Sequence, residues 1–215
     1  MYVQNGQQYS SIMTGNTTPS TVGGNVASGI NVVRIANDID MTNATNGEND
    51  GTVNTNYSTL TVDGQNHMVD FHGNNYTVNK NGSGSLDVYL QNFQTMYGAN
   101  YFGTFRAESG AALHFSNINY VGPQLLSSYN NDTYFSGNVN VLVPTNSNAT
   151  YTSPFQSNVP IEGGGNQENL EVNNFILQDN SHYFGNTSPV LGGTNVVATG
   201  NFTIGQNAKM TLIPR

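Results

Sequence analysis

The chain has 215 residues and no cysteine, and 13 acidic against 5 basic residues give a net charge of −8. So few basic residues argue against a nucleic-acid or anionic-lipid partner, because both require clustered Lys and Arg. Only 8% of the residues are charged while 10% are aromatic, whereas a disordered chain combines high charge with few aromatic residues. We therefore expect a folded domain, without membrane insertion because no apolar run reaches the length of a bilayer span.

Residues 1–30 do not share the pattern of the rest of the chain. Tyr9, Ile12 and Met13 could form the apolar side of one or two helical turns, which Gly15 would end. A fold of stacked coils needs an atypical terminal unit to cover its first coil. This segment is therefore predicted to be a cap.

The predicted division of the chain is an N-terminal cap or tail at residues 1–30 and a main domain at residues 31–215. For residues 1–8, an added tail is the alternative. No secretion signal is recognisable in the first 30 residues, and we expect the chain to be an excised piece of a larger secreted protein.

The segment Leu60–Phe71 carries the clearest local pattern, because apolar and polar residues alternate on both sides of Asp63-Gly64. Such alternation predicts short strands. Asp-Gly favours a tight two-residue turn, so a hairpin is the first interpretation. Related units recur down the chain at a spacing too long for hairpins, which favours a coil of stacked strands.

The recurring unit is a short alternating strand followed by Asn and an apolar residue. Successive copies are 25, 21, 36 and 27 residues apart, at Asn92, Asn117, Asn138, Asn174 and Asn201. A Tyr-Phe pair recurs in three copies, at Tyr101, Tyr134 and Tyr183. Repetition at this period predicts stacked β-coils with little helix. The side chains predicted to face inward are Val33, Ile35, Leu60, Val62, Val69, Leu90, Phe93, Phe115, Ile118, Phe175 and Phe202.

Three segments without periodicity are predicted to be loops, at residues 42–57, 122–133 and 144–168. Long loops inside a compact domain are usually functional or disordered, and on a coil they can only project from the side. We expect the last two to build or cover a binding surface.

Asn37-Asp38-Ile39-Asp40, followed by Leu60–Phe71 and the Asn repeats, resembles the pectate-lyase-like adhesive domain of cell-wall-anchored surface proteins of lactobacilli and related Gram-positive bacteria. The resemblance implies an all-β, right-handed parallel β-helix, a single-stranded solenoid like that of the pectin lyases. It also implies attachment to host mucus, epithelium or polysaccharide. The expected location is extracellular, anchored to the cell wall as part of a larger protein.

Catalysis is not indicated by the arrangement of acidic residues. The lyases that this fold resembles hold Ca²⁺ with clustered carboxylates and use Arg or Lys as the base. Here the mid-chain bases are Lys80 and Arg106, and the candidate acids fall on different predicted coils, at Asp38, Asp40, Asp63, Asp70 and Asp87. We therefore predict no catalytic residue, no metal and no cofactor. A polysaccharide lyase or glycosidase remains an alternative.

Sugar recognition is the leading hypothesis, because aromatic faces and polar side chains suit pyranose rings. The predicted ligand-binding residues are Tyr97, Tyr101, Arg106, Tyr134 and Tyr183. The four tyrosines would form an outward ladder, and Arg106 would bind the carboxylate of a uronate or sialate. The alternative is that each Tyr-Phe pair sends Phe inward and Tyr outward only to cover the edge of the coil, and that Arg106 pairs with Glu108 or a neighbouring loop acid.

The predicted function is that of a non-catalytic surface adhesin domain which binds host glycans, mucin or an epithelial surface. As an isolated domain it is expected to be a monomer. The alternative is a structural spacer or self-associating module of a surface fibre.

Overall fold

The computed structural model describes residues 1–14, 24–44, 51–107, 110–144, 148–162, 168–186 and 196–213. All of its strands except β13 and β14 join one sheet of 17 strands, whose pairings are parallel. Because this sheet winds round on itself coil by coil, the predicted all-β parallel β-helix is confirmed. In chain order the elements are β1 (Tyr2–Val3), α1 (Gly6–Thr14), β2 (Gly24–Asn25), β3 (Val32–Ile35), β4 (Ile39–Asp40), β5 (Gly51–Thr55), β6 (Thr59–Asp63), β7 (Met68–Asp70), β8 (Tyr76–Lys80), β9 (Leu86–Tyr97), β10 (Phe105–Ala107), β11 (Ala111–Val121), β12 (Leu126–Leu142), β13 (Thr150–Tyr151), β14 (Val159–Pro160), β15 (Leu170–Leu177), β16 (His182–Asn186), β17 (Val196–Ala198), β18 (Phe202–Ile204) and β19 (Lys209–Ile213).

The coil has three faces, and long strands bend from one face to the next. The first face contains β1, β3, β6, β18 and parts of β9, β11, β12 and β15. The second face contains β4, β7, β16, β19 and the ends of β9, β11 and β12. The third face contains β2, β5, β8, β10, β17 and the starts of β12 and β15.

Inward side chains stack in register from coil to coil. On the first face one such column runs through Val33, Val62, Leu90, Phe115, Phe135, Leu177 and Ile204. Ten of the eleven residues predicted to face inward are at most 2% exposed. The period-two assignment of the core is therefore confirmed for these ten.

Phe202 is the exception, since 49% of it is exposed. Its ring stacks on the core residue Phe175 with 4.4 Å between centroids and 9° between planes, so the predicted stacking of these two residues is present. Its strand β18 pairs with β15 within the described part of the chain. The prediction that Phe202 is buried is wrong because the ring is covered on one side only in the last described coil.

The Asn residues of the repeat occupy two different corners of the coil. Asn92 and Asn117, with φ of 56° and 51°, turn the chain from the first face to the second. Their left-handed backbone is one that Asn adopts more readily than most residues. Asn174 and Asn201 lie instead between the third face and the first, where Asn174 Oδ1 accepts a hydrogen bond from Asn201 N at 2.6 Å. The Asn residues do recur from coil to coil, but some of the intervals between them join one corner of the coil to a different corner.

The segment Leu60–Phe71 does not form a hairpin. Its strands β6 and β7 pair with the coils before and after them. Gln65 and Asn66, with φ of 48° and 61°, form the turn between them. The coil interpretation is therefore confirmed for this segment.

Helix α1 lies within the predicted cap and packs against the core. Tyr9 is fully buried, and its ring meets Phe71 and Tyr76 edge-on at 5.9 and 5.7 Å. A Cβ at Gly6 would lie 2.5 Å from the Asp40 carbonyl oxygen, so glycine is required for this approach.

The segment that holds α1 also contributes strands to the coil, because β1 pairs with β3 and β2 pairs with β5. Gly15, predicted to end the helix, lies outside the described residues, and the division at residue 30 stays a prediction. No described helix is long and apolar enough to cross a membrane.

The predicted loops are only partly correct. Residues 126–133 belong to strand β12, so the expected excursion at 122–133 is a corner of four residues. Residues 51–55 of the predicted loop 42–57 form β5, and residues 45–50 lie outside the described part. Of the segment 144–168, the described residues 148–162 leave the coil and contain the antiparallel pair β13–β14.

Phe115→Ala and Phe202→Ala test the stacking in a matched pair. Phe115 is enclosed between coils, so its truncation should lower the free energy of unfolding by about 3–5 kcal/mol. Phe202 is half exposed, so the loss there should be about 1–2 kcal/mol. Urea denaturation measures both values. Equal losses of unfolding free energy would contradict this account, because they would show that the Phe202 ring is as fully covered as the Phe115 ring.

Candidate functional site

The turns between the second and third faces stack on one another and form a wall. Side-chain amides hold successive turns together. Asn74 Nδ2 donates to the Met41 and Phe71 carbonyls at 3.2 and 2.8 Å. Asn100 Nδ2 donates to the Gly73 carbonyl at 2.9 Å. These amides add to the backbone hydrogen bonds between the turns, such as that from Ala99 N to the His72 carbonyl at 2.6 Å.

A loop formed by residues 148–162 folds back from a later coil over this wall. Tyr151 and Ser153 each donate a hydroxyl hydrogen bond to one carboxylate oxygen of Asp70, both at 2.6 Å. Asp70 is fully buried and also accepts the backbone N–H of His72 at 2.9 Å. Three donors offset the cost of burying the carboxylate. This contact anchors the loop 81 to 83 residues away in sequence from its partner.

The Tyr151 ring is also held by packing, since it stacks on Tyr97 at 5.5 Å between centroids. Burial, followed by the charge of Asp70, holds the pKa of Tyr151 well above its ordinary value. Its hydroxyl therefore remains a protonated donor to Asp70.

Between the wall and the loop lies a cleft of about 420 Å³, within the size range of small-ligand sites. Its lining is apolar on the loop side and polar on the wall side. The residues that line it are Thr42, His72, Gly73, Asn74, Ala99, Val159, Pro160, Ile161 and Glu162. We call this the cleft.

Two lining side chains carry buried polar atoms without a partner among the described residues, Asn74 Oδ1 and His72 Nδ1. Asn74 is only 4% exposed. A buried polar atom left unpaired costs free energy, so a ligand that supplies the missing hydrogen bonds would be favoured there.

Beside the cleft, the exposed Tyr101 and Phe102 and the half-buried Arg106 form a group that we call the aromatic rim. Tyr101 and Phe102 are 44% and 59% exposed, and their rings meet edge-on at 5.0 Å. The Arg106 guanidinium carbon lies 6.0 Å from the centre of the Phe102 ring. Tyr101 N donates to Glu162 Oε2 at 2.6 Å, so the rim is attached to the lining of the cleft.

The structure thus brings Tyr101 and Arg106 together, as predicted, but it joins them through Phe102, which was not predicted. Gly103, with φ of 89°, places the Tyr101-Phe102 pair in a turn rather than in a strand. A glycine directly after the pair favours a turn, but it was not a sufficient signal, because Gly185 follows Tyr183-Phe184 within strand β16. Tyr97 lies nearby under Tyr151 and is half-buried.

Tyr134 and Tyr183 lie elsewhere, and the predicted ladder of four tyrosines is wrong. Tyr134 is on the outside of the first face, stacked on His114 at 4.5 Å. Tyr183 is fully buried, in register with Val139 and Met210 on the second face. Alternate residues of β16 point inward, and the register with these two neighbours makes Tyr183 one of them. Burial holds the pKa of Tyr183 well above its ordinary value.

The candidate acids are dispersed and engaged in local contacts. Asp38 accepts the Met68 N–H at 2.9 Å and Asp40 accepts the Thr42 N–H at 2.9 Å. Asp63 accepts the Gln65 N–H at 3.2 Å, which is the turn role predicted for it. Asp87 lies 2.8 Å from His114 Nε2. Among the described residues, no three His, Cys, Asp or Glu side chains come together as a metal site.

Residues 27–127 match the family of pectate lyase-like adhesive domains. The resemblance drawn from the sequence is confirmed. This family is described as adhesive, which supports an adhesin role for the chain over an enzymatic one. No curated protein sequence matches the chain.

Two solved structures share the fold of this chain over nearly its whole length. An SRRP of L. reuteri 53608 superposes with a TM-score of 0.68 at 18% identity, over 97% of this chain and 68% of that one. An SRRP of L. reuteri 100-23 gives 0.66 at 16% identity, over 98% and 60%. At such low identity the likeness establishes the fold alone.

Tyr151→Phe tests the anchor of the loop. The variant keeps the ring on Tyr97 but removes one hydrogen bond to a buried carboxylate, so the free energy of unfolding should fall by about 1.5–3 kcal/mol. Chemical denaturation measures the loss.

Tyr129→Phe is the matched control, because its hydroxyl donates to Glu171 from an exposed ring. Its stability should stay within about 0.5 kcal/mol of the wild type. A similar loss in both variants would contradict the special role of the Asp70 contact.

Proposed function

We propose that this chain is a non-catalytic adhesin domain that binds glycans of host mucus or epithelium through the cleft and the aromatic rim. The observation that carries the proposal is the exposure of two aromatic rings beside Arg106, next to a cleft that a folded-back loop encloses. The family match supports the adhesive part. We further propose an extracellular location within a larger cell-wall-anchored protein.

Ring geometry favours the aromatic rim over the outward stack of Tyr89, His114 and Tyr134. Sugars pack their apolar sides on aromatic faces. On the first face, Tyr89, His114 and Tyr134 stack at 4.4 and 4.5 Å, so their rings cover one another and expose mainly edges. Tyr101 and Phe102 meet edge-on and remain 44% and 59% exposed.

Arg106 is the cation best placed for an acidic sugar. Its strand β10 lies on the third face, in register with Thr77 and Ser127, both of them uncharged. A guanidinium can form two parallel hydrogen bonds with a carboxylate. Glu108, the partner named in the alternative interpretation, lies outside the described residues.

Phe102→Ala and Arg106→Ala should each weaken binding to mucin by about 1–3 kcal/mol, because exposed aromatic and Arg side chains dominate many binding surfaces. Biolayer interferometry on immobilised mucin, with circular dichroism to verify the fold, measures the effect. Tyr134→Ala is the control and should bind as the wild type does. Unchanged binding in both rim variants would place the site elsewhere, and no binding by the wild type would favour the spacer.

The pH dependence of binding should reveal whether the ligand is acidic. The chain carries a net charge of −8 and has a pI near 4.6, so an acidic glycan meets repulsion at neutral pH. Its affinity should rise as the pH falls towards the pI and carboxylates take up protons, whereas a neutral glycan should show little change. Titration of both ligand types between neutral pH and pH 5 distinguishes them, and a flat profile for an acidic glycan would contradict this electrostatic account.

A further inference from the structure

The free side-chain polar atoms of the residues that line the cleft are hydrogen-bond acceptors, except for one ring N–H of His72. Asn74 commits its two amide protons to the Met41 and Phe71 carbonyls, so its free Oδ1 can only accept. The Thr42 hydroxyl donates its proton to Asp40 Oδ1 at 2.6 Å, so towards a ligand it too can only accept. The Glu162 carboxylate has acceptor capacity beyond the Tyr101 N–H.

His72 adds an atom of the same kind. Its Nδ1 is buried and has no partner among the described residues. In the tautomer that carries the proton on Nε2, this nitrogen accepts a hydrogen bond. Its backbone has a φ of 53°, so the ring is presented from a turn that Asn or Gly could also form.

The opposite side of the cleft offers apolar surface and few donors. Val159, Ile161 and Ala99 border the cleft but are only 3%, 5% and 4% exposed, because they also pack on Tyr151 and Val143. Pro160 between them is exposed, supplies the apolar surface and has no backbone N–H. None of the residues that line the cleft is Lys or Arg.

We infer that the cleft takes a neutral sugar residue, whose hydroxyl groups donate to Asn74 Oδ1, Glu162 and His72 while its apolar side lies against Pro160, between Val159 and Ile161. The inference rests on the proposed function and divides the ligand between two places. A uronate or sialate carboxylate would meet acceptors and the like charge of Glu162 in the cleft, which is unfavourable. An acidic residue of the same glycan belongs at Arg106, outside the cleft.

The test uses two sets of probes, a panel of neutral oligosaccharides of galactose, glucose, mannose and N-acetylhexosamine, and an oligogalacturonate. Isothermal titration or ligand-observed NMR measures the dissociation constants for the wild type, Glu162→Gln and His72→Gly. The first variant keeps an acceptor for the Tyr101 N–H but removes the charge. The second removes the imidazole at a φ that glycine tolerates.

At least one neutral oligosaccharide should bind the wild type and lose about tenfold in affinity in Glu162→Gln, as expected for a hydrogen bond to a charged group. The same ligand should weaken in His72→Gly. The oligogalacturonate should bind Glu162→Gln as well as or better than the wild type, and Arg106→Ala should weaken the oligogalacturonate alone. Glu171→Gln, which removes the same charge from a residue outside the cleft, should leave the neutral ligands unaffected.

Two different failures are distinguishable. If oligogalacturonate or mucin binds the wild type but no neutral oligosaccharide does, or if neither cleft variant weakens a neutral ligand, the inference is overturned and the proposed function stands. If the wild type binds neither probe set nor mucin, the proposed function is itself overturned.

Discussion

Register between coils is the constraint on which the rest of this structure depends. Each inward side chain rests on the one before it, and a shift by one residue would turn a whole face inside out. The column from Val33 to Ile204 keeps its parity through coils of unequal length, because the extra residues are confined to the corners. At the corner between the first and second faces, residues such as Asn92 and Asn117 change the chain direction at a positive φ.

Those features of the fold that depend on neighbouring residues could be predicted from the sequence. Alternation identified ten buried residues, and the repeat indicated stacked coils rather than hairpins. The orientation of Tyr183 could not be predicted, because the same Tyr-Phe pair lies on the first face at Tyr134 and on the second at Tyr183 with opposite parity. The exposure of Phe202 could not be predicted either, because Phe202 follows Asn in the repeat just as the buried Phe175 does. Its exposure depends on whether another coil covers the ring.

The candidate site was predictable only where its residues are close in sequence. Tyr101 and Arg106 are near neighbours, and their pairing was expected. Phe102 was overlooked because a Tyr-Phe pair in a strand would bury the phenylalanine, whereas Gly103 puts this pair in a turn. The cleft depends on contacts between Asp70 and residues 81 to 83 positions later, and no local pattern announces such a pairing.

The loop that encloses the cleft is fixed by the same contact that makes Asp70 tolerable in the core. A carboxylate buried without partners would cost far more than a neutral polar group, for which the cost is on the order of 2–7 kcal/mol. Its donors Tyr151 and Ser153 are in place only when residues 148–162 fold back, so burial of Asp70 and closure of the loop require each other. Because folding already orders the loop that encloses the cleft, a ligand does not bear the entropy cost of ordering that loop. A long insertion at one corner can therefore add a preorganised binding surface without disturbing the register of the coils beneath it.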